Sequence, residues 1–89
     1  MPTYTAPLRD MRFVMFELLD AMNELKALPA HADLDQATIE AVLEEGAKFA
    51  SQVVFPINGI GDVQGCTFHG DGVVTTAPGF KEAYAQFVE

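Results

Sequence analysis

Apolar residues recur at helical spacing in three stretches of this chain. Over residues 8–28, Leu8, Met11, Val14, Met15, Leu18, Leu19, Met22 and Leu25 share one face when placed at about 100° per residue. Arg9, Asp10, Arg12, Glu17, Asp20, Asn23 and Glu24 share the other. Pro7 suits the first turn of such a helix and Pro29 stops it. Phe13 and Phe16 break the pattern by falling in the polar sector. Two rings one turn apart make a patch that invites cover. Either the N-terminal tail or another helix of this chain covers them, or they dock on protein outside it.

Residues 29–34 read as a connector. Asp35 is placed to cap a second helix that reaches about Val54, with Asp33 also near its positive end. Ile39, Val42, Leu43, Gly46, Ala47, Phe49, Ala50, Val53 and Val54 form its apolar face; Glu40, Glu44, Glu45, Lys48, Ser51 and Gln52 form its wet face. Gly46 costs about 0.8–1.0 kcal/mol relative to Ala in a helix interior, which predicts the close approach of another helix there. Pro56 is expected to end the helix.

Residues 57–79 then become rich in glycine: Gly59, Gly61, Gly65, Gly70, Gly72 and Gly79. The runs 66–69 and 73–76, joined through Gly70-Asp71-Gly72, predict a small hairpin. A lone two-stranded hairpin is marginal in water and needs something to lie against. A third helix starts near Pro78, with Phe80, Ala83, Tyr84, Phe87 and Val88 as its stripe. Glu89 closes the sequence with no glycine or asparagine cap after it, so the chain is expected to be cut within an element. The expected fold is mainly α: three amphipathic helices with a short glycine-rich β-hairpin between the second and third.

With 89 residues, of which 49% are hydrophobic, the chain makes one small domain at most, and its margin of stability is thin. Five basic residues face thirteen acidic ones, for a net charge of −8. The cations are scattered at Arg9, Arg12, Lys26, Lys48 and Lys81, which argues against nucleic acid or an anionic membrane as a partner. No apolar run approaches the roughly 20 residues of a membrane span, and the N-terminus lacks the pattern of a secretory signal. The single cysteine, Cys66, allows no internal disulfide and suits a reducing cytoplasm.

Candidate chemistry is sparse. Gly59-Ile60-Gly61 invites a dinucleotide-loop reading, but Gln64 stands where the third glycine belongs, and a helix precedes instead of a strand. His31 falls in the connector and His69 at the hairpin turn, without metal-ligand spacing. Cys66 and His69 lie three apart on one strand, hence on opposite faces. Glu40, Glu44 and Glu45 occupy a solvated face, with Lys48 four residues after Glu44 as an ion-pair partner. Asp62 and Asp71 read as turn residues bonding their own backbone. Met11, Met15 and Met22 read as core rather than as an adaptable groove. No catalytic, cofactor-binding or metal residue is assigned.

The opening Tyr4-Thr5-Ala6-Pro7-Leu8-Arg9-Asp10-Met11-Arg12-Phe13 resembles the start of acyl-CoA dehydrogenases that carry an N-terminal extension. So does the run Gly72-Val73-Val74-Thr75-Thr76-Ala77-Pro78-Gly79-Phe80-Lys81-Glu82-Ala83-Tyr84, with Gln86-Phe87-Val88-Glu89 after it. Between them, Glu44-Glu45-Gly46-Ala47-Lys48-Phe49, Pro56-Ile57-Asn58, Gly61-Asp62 and Gly65-Cys66 fit in order. One departure is Gly59 after Asn58, where the family pattern has an arginine. The resemblance implies that residues 1–89 are the N-terminal extension and the start of the helical N-terminal domain of a larger flavoprotein. In that parent a buried glutamate takes the α-proton of an acyl-CoA, FAD takes the β-hydride, and an electron-transferring flavoprotein takes the electrons. Those contacts come from later domains, so none is assigned here.

The first reading is therefore a structural portion of an acyl-CoA dehydrogenase, inert alone, whose partner is the remainder of the parent or a second copy. The rival is a stand-alone helical oligomerisation module. A reading frame continuing past Glu89 favours the first, and a stop codon there the second.

Overall fold

A computed structural model of the protein describes residues 3–89. Its elements are mainly helical, with one two-stranded antiparallel sheet. The chain divides into two compact units: Thr5–Ala47, and Lys48–Glu89 taken with Thr3 and Tyr4.

In the unit Thr5–Ala47, helix α1 (Leu8–Arg12) starts directly after Pro7. It passes into a π-helical stretch, Phe13–Leu18, closed by the Leu19 N–H donating to the Val14 carbonyl, five residues back. Asp20 then takes a left-handed conformation, φ 49° and ψ 48°, before helix α2 (Ala21–Lys26). The helix expected over residues 8–28 is thus corrected to two α segments separated by a widened turn and a break. Asp tolerates the left-handed region better than most residues, and its carboxylate accepts a hydrogen bond from Asn23 Nδ2 at 2.7 Å. A 3₁₀ turn at Pro29–His31 follows.

Helix α3 (Gln36–Phe49) opens where Asp35 stands. The Thr38 N–H donates to Asp35 Oδ1 at 2.7 Å, the N-cap bond that satisfies one orphan donor of the first turn. Gly46 has open space where a Cβ would point, so the close approach expected there is not made.

In the other unit, a second π stretch, Ala50–Val54, leads into helix α4 (Phe55–Gln64). The expectation that Pro56 ends the helix is corrected: it lies in the first turn of α4. A proline in a regular helix lacks a donor and presses its ring against the carbonyl four residues back. Here the turn before it is widened, with the Phe55 N–H reaching the Ala50 carbonyl five residues away, and the helix continues. Gly59, Gly61 and Asp62 are consequently helical, not in a glycine-rich turn. Helix α4 stops at Gly65, whose φ of 61° and ψ of −167° only glycine adopts readily.

Strands β1 (Thr67–Gly70) and β2 (Val73–Thr75) pair in antiparallel register, Thr67 with Thr75 and Phe68 with Val74. Between them Asp71 and Gly72 both have positive φ, 52° and 78°, the requirement of a tight two-residue hairpin turn. The register slips at His69, whose Nε2 lies 2.6 Å from Thr75 Oγ1. Helix α5 (Phe80–Val88) follows Gly79.

Helices α4 and α5 meet through two glycines. A Cβ on Gly61 would lie 2.6 Å from Phe80 Cζ, and one on Gly79, at φ 92°, would lie 2.8 Å from Ile57 Cγ2. Rings extend the packing: Phe49 and Phe87 have centroids 5.8 Å apart, and Tyr4 stacks on Phe55 at 6.4 Å.

Two predictions follow from these local restraints. Its bonds to Thr38, first through the side chain and then the backbone, hold the Asp35 carboxyl below the ordinary aspartate range. A carboxylate with a depressed folded-state pKa stabilises above its unfolded value and loses that contribution as pH falls through the folded one. Helicity of the chain, followed by circular dichroism, should therefore drop in acid below the normal aspartate range. Asp35→Asn should keep the cap and remove that component of the acid dependence, and Asp35→Ala should lower helicity at neutral pH. Separately, Gly79→Ala should destabilise the α4–α5 packing by about 1–2 kcal/mol from backbone strain alone, read as a lower thermal midpoint.

Candidate functional site

The residues with chemical potential are dispersed. His31 lies exposed on the 3₁₀ turn, His69 on β1, and Cys66 is a free, exposed thiol preceding β1. Glu40, Glu44 and Glu45 are on α3, Asp62 on α4, and Asp71 in the hairpin turn. Among the described residues, no group of histidine, cysteine or acidic side chains is arranged to hold a metal ion. Gly59-Ile60-Gly61 lies inside α4 rather than in a loop between strand and helix, and the Gly61 carbonyl accepts the Gly65 N–H. Backbone donors committed to a helix ladder cannot wrap a phosphate. Residues 59–61 are therefore not the phosphate loop of a dinucleotide site.

What the structure does assemble is a mainly polar cleft on one unit and a more apolar depression on the other. In the unit Thr5–Ala47, a cleft of about 420 Å³ is lined by Arg9, Arg12, Phe13, Phe16 and Glu17 from one side and by Gln36 and Glu40 of α3 from the other. Arg12 anchors it, with Nη2 3.3 Å from Glu44 Oε1 and Nε 3.9 Å from Glu40 Oε1. At this exposure the ion pairs contribute roughly 0–1 kcal/mol, so they orient the cleft more than they hold it together. The sequence pattern placed Arg12 on a wet face and assigned Glu44 to Lys48; the contact with Arg12 crosses 32 positions and has no local signature.

Phe13, at 52% exposure, remains open on this face, and Phe16 is half-buried. Leu18 and Leu19, expected in the apolar stripe, are 65% and 57% exposed. Met15 and Met22 are half-buried and Met11 is exposed, so the methionines are not core residues. No described residue of Thr5–Ala47 is fully buried.

The other unit has Ala77 and Ala83 as its buried residues. On it a shallow depression of about 560 Å³ runs between β2 and α5, lined by Val74, Thr75, Thr76, Phe80, Lys81 and Tyr84. Phe68 on β1 and Phe87 on α5 are both 70% exposed. The hairpin and α5 thus present large apolar side chains outward, the character of a surface made to be covered.

No protein-family profile matches the chain. Over 87 residues, 98% of its length, the chain is 34% identical to the 3-methylmercaptopropionyl-CoA dehydrogenase of Ruegeria pomeroyi. It spans only 14% of that relative's length.

These open faces should bind an apolar fluorescent dye at neutral pH, where most folded monomers do not. Replacing Leu18 and Phe87 together by Gln should lower the dye signal while leaving helicity by circular dichroism nearly unchanged. Equal dye binding by this variant would show that other surface is responsible.

Proposed function

We propose that the chain forms the helical N-terminal portion of an acyl-CoA dehydrogenase and carries no chemistry of its own. The observation that carries this reading is the proportion of the match: nearly all of this chain against a seventh or so of a larger dehydrogenase. The scarcity of buried side chains supports it, because α1–α3 and the hairpin–α5 face have apolar surface that their own units leave uncovered.

In the parent, on this reading, an acyl-CoA loses hydrogen from its α and β carbons, FAD accepts the hydride, and an electron-transferring flavoprotein reoxidises the flavin. The residues that perform those steps lie outside this chain. Its own role is scaffolding: helices that pack on the remainder of the enzyme and cover the acyl-binding side. A cytoplasmic setting fits the single exposed thiol of Cys66.

The same exposed apolar faces support a second role for the chain by itself, association with another copy. Light scattering should then find a dimer, and a strict monomer at high concentration would count against it.

Expressed alone, the chain should be colourless and should not oxidise acyl-CoA, whereas the product of the longer reading frame should be yellow and should oxidise it. A flavin absorbance band that survives desalting of the 89-residue chain overturns the proposal. Gly46 offers an independent check of cover. Its Cβ position is open here, so Gly46→Ala should stabilise the isolated helix by about 0.8–1.0 kcal/mol and destabilise the parent enzyme. Equal stabilisation in both would mean that nothing approaches α3 at that point.

A further inference from the structure

The two π-helical stretches differ in one respect. Ala50–Val54 directly precedes Phe55 and Pro56, and the proline's missing donor and bulky ring oblige the wider turn. Nothing comparable obliges Phe13–Leu18. From Leu8 to Leu28 there is neither proline nor glycine, and most residues there are good helix formers. Yet the helix widens at Phe13–Leu18 and breaks at Asp20, a non-glycine residue at φ 49°.

The break has a consequence for the apolar stripe. A π turn closes its bond five residues back instead of four, so it adds about one residue of rotation, roughly 100°. Residues after it are turned away from those before it. In an unbroken α-helix, Leu18, Leu19, Met22 and Leu25 would align with Leu8, Met11, Val14 and Met15. In the structure the stripe is interrupted at the break itself: Leu18 and Leu19 are 65% and 57% exposed, while Met15 before it and Met22 and Leu25 after it are half-buried. One local restraint on this form is the 2.7 Å bond from Asn23 Nδ2 to Asp20 Oδ2.

We propose that residues 8–28 are a two-state helix, broken at Asp20 when its stripe is uncovered and continuous when the remainder of the parent enzyme lies against it. Covering the stripe rewards the alignment that only the continuous form has, and α1 and α2 then merge with Asp20 in the right-handed region. The proposal rests on the reading above only for what does the covering; the two states themselves are properties of this chain.

Two variants move the balance in opposite directions. Glycine accepts the left-handed region without penalty and weakens a helix interior, whereas alanine does the reverse. Asp20→Ala relative to Asp20→Gly should shift the continuous-to-broken ratio by about 5- to 30-fold, the left-handed penalty of a residue with a Cβ. Backbone carbon shifts at position 20 and amide exchange at positions 20–23 report it, since those amides gain helical partners only in the continuous form. If Asp20→Ala proves too unstable to observe, Asn23→Ala releases the same restraint and should shift the same signals.

In the longer enzyme with its natural Asp20, amides 20–23 should be protected. A left-handed shift at position 20 that persists in both Asp20→Ala and Asn23→Ala overturns the two states, whether or not a flavoenzyme parent exists. Opposite shifts in the variants with amides 20–23 still unprotected in a flavin-bearing parent overturn the coupling to cover and leave the parentage intact.

Discussion

An amphipathic helix in a protein is held chiefly by what its apolar stripe lies against, since isolated helices of this length are marginal in water. Here that support is concentrated where α5 meets α4. Gly61 and Gly79 let the backbones approach, Phe80 and Ile57 fill the space a Cβ would take, and Ala77 and Ala83 are, among the described residues, the two that are buried, at 6% and 8% exposure. Elsewhere the stripes are open, so local devices do the work that packing does in a finished domain: the Asp35 cap, the left-handed Asp20, the Asp71-Gly72 turn, the stop at Gly65. Such devices fix where elements begin and end, but they do not supply the hydrophobic stabilisation of a core.

That imbalance shapes what the chain can do. Every titratable side chain described here sits at a surface or beside one. Contacts such as Arg12 with Glu40 and Glu44, and His69 with Thr75, join neighbouring elements. Homology to part of a dehydrogenase and the exposure of the apolar faces therefore bear on the same question from independent directions.

Much of the secondary structure was legible because it rests on neighbours in sequence. The 3.6-residue recurrence marked α3 and α5, Asp35 announced its own cap, and the Asp71-Gly72 pair announced a tight turn. The misses share a different cause. Pro56 reads locally as a stop, but a widened turn upstream accommodates it, and so Gly59 and Gly61 became helical rather than loop residues. The break at Asp20 has no local breaker to announce it. Gly46 read as a close helix contact and meets open space, and the methionines read as core and are not, because both inferences assume a partner surface that these residues lack within their unit. The flagged surface, Phe13 with Phe16, was visible as a fault in the pattern; the arginine clamp beside it, spanning 32 positions, was not.

The acidic faces of these helices have a further consequence on the proposed reading. A ribosome adds roughly 5–20 residues per second and domains fold as they emerge, so the N-terminal portion of a long enzyme waits many seconds for the surface that will cover it. During that interval its bare leucines and phenyl rings would invite neighbouring nascent chains to stick. A net charge of −8 on so short a segment keeps such chains apart by mutual repulsion, which makes its thirteen carboxylates a colloidal shield for the newborn chain as much as a solvated surface of the finished one.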